Sequence, residues 1–117
     1  MLAMSKFDEA LGKYRESLAS VGGSAATDDA LLTAVAKGLG PSIYLADASM
    51  VSCSDQTEKD RVKNNFLIKK HGLADSAALD AAVSAVCDQM GSSNRSKHRA
   101  VFYYLLVQKL GLAAKYA

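Results

Sequence analysis

Residues 94–99, NRSKHR, place three permanent cations and an imidazole within six positions. They run straight into the apolar and aromatic residues 100–107, AVFYYLLV. Arginine carries a planar fork of donors that matches phosphate or carboxylate oxygens, and lysine a compact ammonium. A helix capped at Ser92, Ser93 or Asn94 would aim its first free amides at the same volume, as helices that hold phosphate do. Asn94, Arg95, Lys97 and Arg99 are therefore candidate anion-binding residues at a solvent-accessible helix end, with an anionic ligand as the candidate partner. Two structural explanations compete. Acids from the first half of the chain neutralise the cations, or the helix begins nearer Ala100 and leaves them in a loop. Cations at a helix start otherwise oppose the macrodipole.

A second candidate is Cys53, in the string Ser52-Cys53-Ser54-Asp55. If Ser52 caps a helix, Cys53 sits in its first turn, where backbone amides would stabilise a thiolate. A thiol enzyme would also need a base, and neither His71 nor His98 is near it in sequence. The competing reading is that Cys53 is a small structural residue; Cys87, within an apolar stripe, reads as core. The two histidines belong to no metal-binding array, so no metal is expected. Gly38-Leu39-Gly40 lacks the spacing of a phosphate loop and reads as a helix stop before Pro41. Nothing calls for a cofactor.

The elements that would position these residues are helical. Ser5 can cap a first helix over 6–21, in which Phe7, Ala10, Leu11, Tyr14, Leu18 and Val21 recur at spacings of three and four. Gly22-Gly23 ends it. Thr27, Asp28 and Asp29 open a second, with Leu31, Leu32, Val35 and Leu39 as its buried side. Pro41 suits the start of a short helix over 42–46. Residues 48–54 read as a connector. Ser52 or Ser54 caps a third long helix near 55–71, with Val62, Phe66 and Leu67 apolar and Gly72 beyond its end. Asp75 caps the next, whose stripe is Leu79, Val83, Val86, Cys87 and Met90. The last, capped within 92–94, runs to about Leu110. An almost wholly apolar helix is buried on most sides, so this one should be central.

The expected fold is all-α: a compact domain of four long helices plus one or two short ones around an apolar C-terminal helix. Residues 1–4 are expected to be a disordered N-terminal extension and 5–117 a single domain. The 117 residues are 50% hydrophobic and 22% charged, ordinary for a globular domain. The charge is uneven: residues 1–58 carry a net −4 and 59–117 a net +6. Arg61, Lys63, Lys69 and Lys70 could extend a basic face toward nucleic acid, but no nucleic-acid-binding motif is readable. Two cysteines are too few for a disulfide scaffold, no leader-like segment is visible and no apolar run is long enough for a membrane, which points to a reducing cytoplasm. Tyr44, Met50, Tyr103 and Tyr104 are candidates for apolar surface beyond what the core absorbs, which makes a homodimer the expected assembly.

The strings KGLGPSIY, VSCSD, VKNNFLIKKHGL and NRSKHRAVFYYLL, in this order, resemble a small bacterial family, domain of unknown function 2853. The resemblance implies a compact helical protein and supplies no functional residues. The function expected is that of a small cytoplasmic, non-catalytic protein- or ligand-binding module. The alternatives are an anion or nucleic-acid binder using residues 95–99 and a thiol enzyme using Cys53.

Overall fold

The computed structural model describes residues 6–20, 29–44, 50–91 and 97–112. Among these the chain is all-α: α1 (Lys6–Ser20), α2 (Asp29–Leu39), a 3₁₀ helix (Gly40–Tyr44), α3 (Gln56–Arg61) continuing as a π-helix (Val62–Lys70), α4 (Ala77–Met90) and α5 (Arg99–Lys109). One antiparallel bridge joins Met50 to His98, with Val51 N–H donating to Lys97 O at 2.8 Å. The expected extension at 1–4, the Ser5 and Thr27 caps, the Gly22-Gly23 stop and the caps at 92–94 lie outside the described residues.

The apolar C-terminal helix is central, as its composition requires. All eight residues 100–107 are buried, because α5 packs against α1, α2 and α4 at once. This corrects the expectation that Tyr103 and Tyr104 contribute apolar surface. Tyr104 is fully buried, and its hydroxyl accepts from Gln108 Nε2 at 2.8 Å. Tyr103 is 6% exposed, and its hydroxyl accepts from Arg99. A buried phenol needs such a partner for its polar tip. Leu11, Tyr14 and Leu18 of α1 and Leu31, Leu32, Val35 and Ala36 of α2 complete this side of the core.

Several helix ends differ from those expected. α3 is capped by Asp55, whose carboxylate accepts from Thr57 N–H at 2.9 Å, and neither Ser52 nor Ser54 plays that part. α4 follows Ser76, while Asp75 reaches across to the π-helix. There Lys63 Nζ lies 3.2 Å from both Asp75 Oδ1 and Asp80 Oδ1. The Asp80 carboxylate first, then that of Asp75, holds the Lys63 ammonium above its ordinary pKa. The buried residues Val62, Phe66 and Leu67 stand four and five positions apart, which suits i→i+5 winding. At its end Gly72 turns the chain at φ +70°, a conformation that suits a residue without Cβ. The short helix begins at Gly40, two residues before the expected start.

Cys53 and Cys87 form a disulfide across 34 residues, with Cα atoms 5.8 Å apart. It ties the turn before α3 to the last turns of α4. Cys87 is buried, as its place in the stripe indicates, but the pairing itself was not expected. Among the described residues no helix is long and apolar enough to cross a membrane.

Candidate functional site

The basic segment divides at the start of α5. The helix begins at Arg99, and His98 at its N-cap makes no side-chain capping bond. Arg99 is turned inward: its Nη1 donates to Tyr103 Oη at 3.0 Å and its Nη2 to Met50 O at 3.2 Å. Nη2 also donates to Glu58 Oε1, closing an ion pair whose side chains are only 16% and 13% exposed. Burial works against the guanidinium charge, but Tyr103 and Glu58 outweigh it and raise the Arg99 pKa. Burial also raises the Tyr103 phenol, and Arg99 pulls it back only in part. Lys97 is 7% exposed and partnered. Of the four candidate anion ligands, then, Lys97 and Arg99 do not stand at an open helix end. Asn94 and Arg95 lie outside the described residues. For Arg99 the first structural explanation operates: Glu58, an acid from the first half, neutralises the cation, while the helix starts late but still includes Arg99.

Arg99 also begins a buried stack. Its guanidinium lies 5.6 Å from the Tyr103 ring centroid. Tyr103 stacks on Phe66 with ring centroids 3.8 Å apart, and Phe66 and His71 pack edge to face with centroids 4.5 Å apart. His71 Nδ1 is 2.6 Å from Phe66 O. A carbonyl can only accept, so Nδ1 carries the proton. These groups brace α5 against the π-helix.

His98, next to Arg99, faces the other way, into an open cleft of about 410 Å³. α1 forms one wall with Lys6, Glu9, Ala10, Lys13 and Tyr14; the 3₁₀ helix adds Ile43 and Tyr44, and the bridged segments add Met50 and His98. Lys6, Glu9 and Lys13 stand at i, i+3 and i+7, so one helix face carries all three. Tyr14 is buried, and its ring and that of His98 pack edge to face with centroids 5.3 Å apart. Burial, then the nearby Tyr44 phenol, pushes the Tyr14 hydroxyl above its ordinary pKa. Burial, then the Lys13 ammonium, pushes His98 below its ordinary value of 6.5. Both causes favour the neutral imidazole. Tyr44 is 46% exposed, the one large apolar side chain so exposed among the described residues. The cleft thus joins apolar walls to hydrogen-bond donors, an arrangement suited to holding a small molecule.

Sequence reasoning placed Tyr44 and Met50 on the surface but missed the cleft. The legible signal was the charged α1 face beside Tyr14; the opposing wall depends on the Met50–His98 bridge, which periodicity does not reveal. Cys53 lies ahead of α3 rather than in its first turn, and Asp55 occupies the capping position. With its sulfur bonded to Cys87, it offers no thiolate in this state. Among the described residues no three His, Cys, Asp or Glu side chains converge as a metal site requires.

No curated protein matches the chain significantly. Over residues 13–114, from within α1 to beyond α5, it matches the model of a family described as "Protein of unknown function (DUF2853)", and the chain belongs to that family.

Proposed function

We propose that this protein is a non-catalytic ligand-binding module of the bacterial cytoplasm whose binding site is the cleft between α1, the 3₁₀ helix and the Met50–His98 bridge. The observation that carries the proposal is the cleft itself. Its volume of about 410 Å³ falls in the range of small-molecule sites. Tyr44 and Met50, two of the four residues expected at a homodimer surface, line it, so a ligand rather than a second copy is proposed as their cover. A catalytic role is not proposed: among the described residues no carboxylate is hydrogen-bonded to His98 to orient it as a base. The basic segment is not chosen either, because Lys97 and Arg99 are already engaged.

The test is a fragment library of mixed charge, screened by amide chemical shifts. Hits should gather on Lys13, Tyr14, Tyr44, Met50 and His98. Ala10→Trp, which fills the cleft from α1, should abolish them while leaving the remaining spectrum folded. Hits that gather elsewhere, or that survive Ala10→Trp, would overturn the proposal. The cytoplasmic part has its own check. Although Cys53 and Cys87 are bonded in the structure, a cytoplasmic chain should keep the pair largely reduced in the cell, so thiol trapping during lysis that finds it fully oxidised would argue for another compartment.

A further inference from the structure

The chemistry of the cleft walls narrows the class of ligand. Lys6 and Lys13 bring two ammonium groups, Glu9 one carboxylate, and Tyr14, Tyr44 and His98 bring hydroxyl and imidazole donors. By formal charge these described residues sum to one net positive, two ammonium groups against one carboxylate, and donors outnumber acceptors. A ligand that satisfies them presents anionic oxygens. A single positive charge matches a monoanion better than a phosphate dianion. Among the described lining residues no arginine fork stands, the usual partner where phosphate is gripped by two parallel bonds. The other requirement is apolar: Ala10, Ile43 and Met50 form a wall that only a hydrocarbon surface covers without loss. The volume, near the lower end of small-molecule sites, limits that hydrocarbon to a ring or a short chain.

We propose that the cleft takes a small organic monocarboxylate, its carboxylate set toward Lys13 and His98 and its apolar body over Ile43, Met50 and Tyr44. The proposal rests on the cleft being the binding site. Lys13 and His98 are the pair to address because they line the cleft from opposite sides, Lys13 on α1 and His98 on the bridged segment against the Tyr14 ring, and the Lys13 ammonium adds to the burial that lowers the His98 pKa. A carboxylate beside them offsets the Lys13 field that disfavours imidazolium, so the bound acid raises the His98 pKa. Among the described residues the other titratable groups facing this point are Lys6, Glu9 and Tyr14 from α1 and Tyr44 from the 3₁₀ helix. The His98 ring resonances report its own protonation directly.

The experiment uses the full chain and three sets of matched probes, built on benzoate, cyclohexanecarboxylate and hexanoate. Each acid is compared with its neutral amide and with the corresponding primary amine. Binding is followed by the His98 ring resonances and cleft amides across pH 5.5–8. The expected result is that at least one acid binds about tenfold more tightly than its amide, the difference of one charge-assisted hydrogen bond. That acid raises the His98 pKa, its amide does not, and Lys13→Gln brings acid and amide close to equal affinity. If amides or amines bind the cleft as well as the acids do, the cleft remains a binding site and the carboxylate assignment falls. If the acid preference survives in the Lys13→Gln, Lys6→Gln double variant, the assignment also falls. If no probe moves a cleft resonance at tens of millimolar, the carboxylate assignment and the binding-site reading fall together.

Discussion

Arg99 and His98 are neighbours in sequence and occupy opposite electrostatic settings. Arg99 is folded into the core side, where Glu58, Tyr103 Oη and Met50 O take up its donors. His98 looks onto an open cleft, where burial and Lys13 keep it neutral. The first region uses charge as a brace. A buried guanidinium is tolerated because a carboxylate and two further acceptors replace water. The second leaves its donors facing solvent, where a ligand can reach them. A run of basic residues is thus not one functional unit, and its meaning is decided side chain by side chain by what lies opposite. Met50 joins the two regions, because its carbonyl serves Arg99 while its side chain lines the cleft.

The largest effect expected is on the tether beside both regions. Cys53 lies three residues beyond Met50, and its bridge to Cys87 closes a loop across 34 residues. By loop-closure entropy, removing it should cost about 3–4 kcal/mol. Denaturant unfolding of the oxidised protein against Cys53→Ser/Cys87→Ser would show this as a lower midpoint. Equal midpoints would mean that the bridge does not constrain the unfolded chain.

Next comes the brace itself. Glu58→Ala strands the Arg99 guanidinium with only neutral partners. Breaking a buried pair costs 3–5 kcal/mol when the survivor is fully desolvated, and here both side chains keep some exposure, so about 2–3 kcal/mol is expected. Glu9→Gln, in the cleft, should stay within about 0.5 kcal/mol. Comparable losses from both would erase the distinction between brace and binding surface. Tyr103→Phe keeps the stack on Phe66 and removes one acceptor of Arg99, so it should lose about 1 kcal/mol in the same assay.

Legibility in the sequence follows the range of the interaction. The α1 stripe from Phe7 to Leu18, the central position of α5 and the stop at Gly72 are local patterns, and the structure keeps them. The choice of cap between Ser52, Ser54 and Asp55 was not legible, because serine and aspartate cap almost equally well. Asp55 holds the position with extended backbone angles, φ −106° and ψ 110°, that aim its carboxylate at Thr57 N–H. The Arg99–Glu58 pair spans 41 residues and the disulfide 34, and nothing local in sequence specifies either. The late start of α5 has the same origin. Lys97 and His98 are held by the bridge to Val51 and Met50, so the backbone there is extended rather than helical.

The smallest effect addresses the other side of the comparison. His98 has its folded pKa lowered, so the folded state resists a proton that the unfolded chain accepts near 6.5. The unfolded state therefore binds more protons as pH falls below 6.5, and the stability contribution present above that value is lost as pH falls through the folded pKa. The ring resonances of His98 should titrate below 6.5, and unfolding midpoints should decline gently over the same window. Lys13→Gln should raise the His98 pKa without restoring the ordinary value, because burial is the larger cause and the lysine the smaller. His98→Gln should flatten that part of the pH dependence. A His98 that titrates at or above 6.5 in the wild type would mean that the imidazole is fully solvated or meets an acid, and the contrast with Arg99 would disappear.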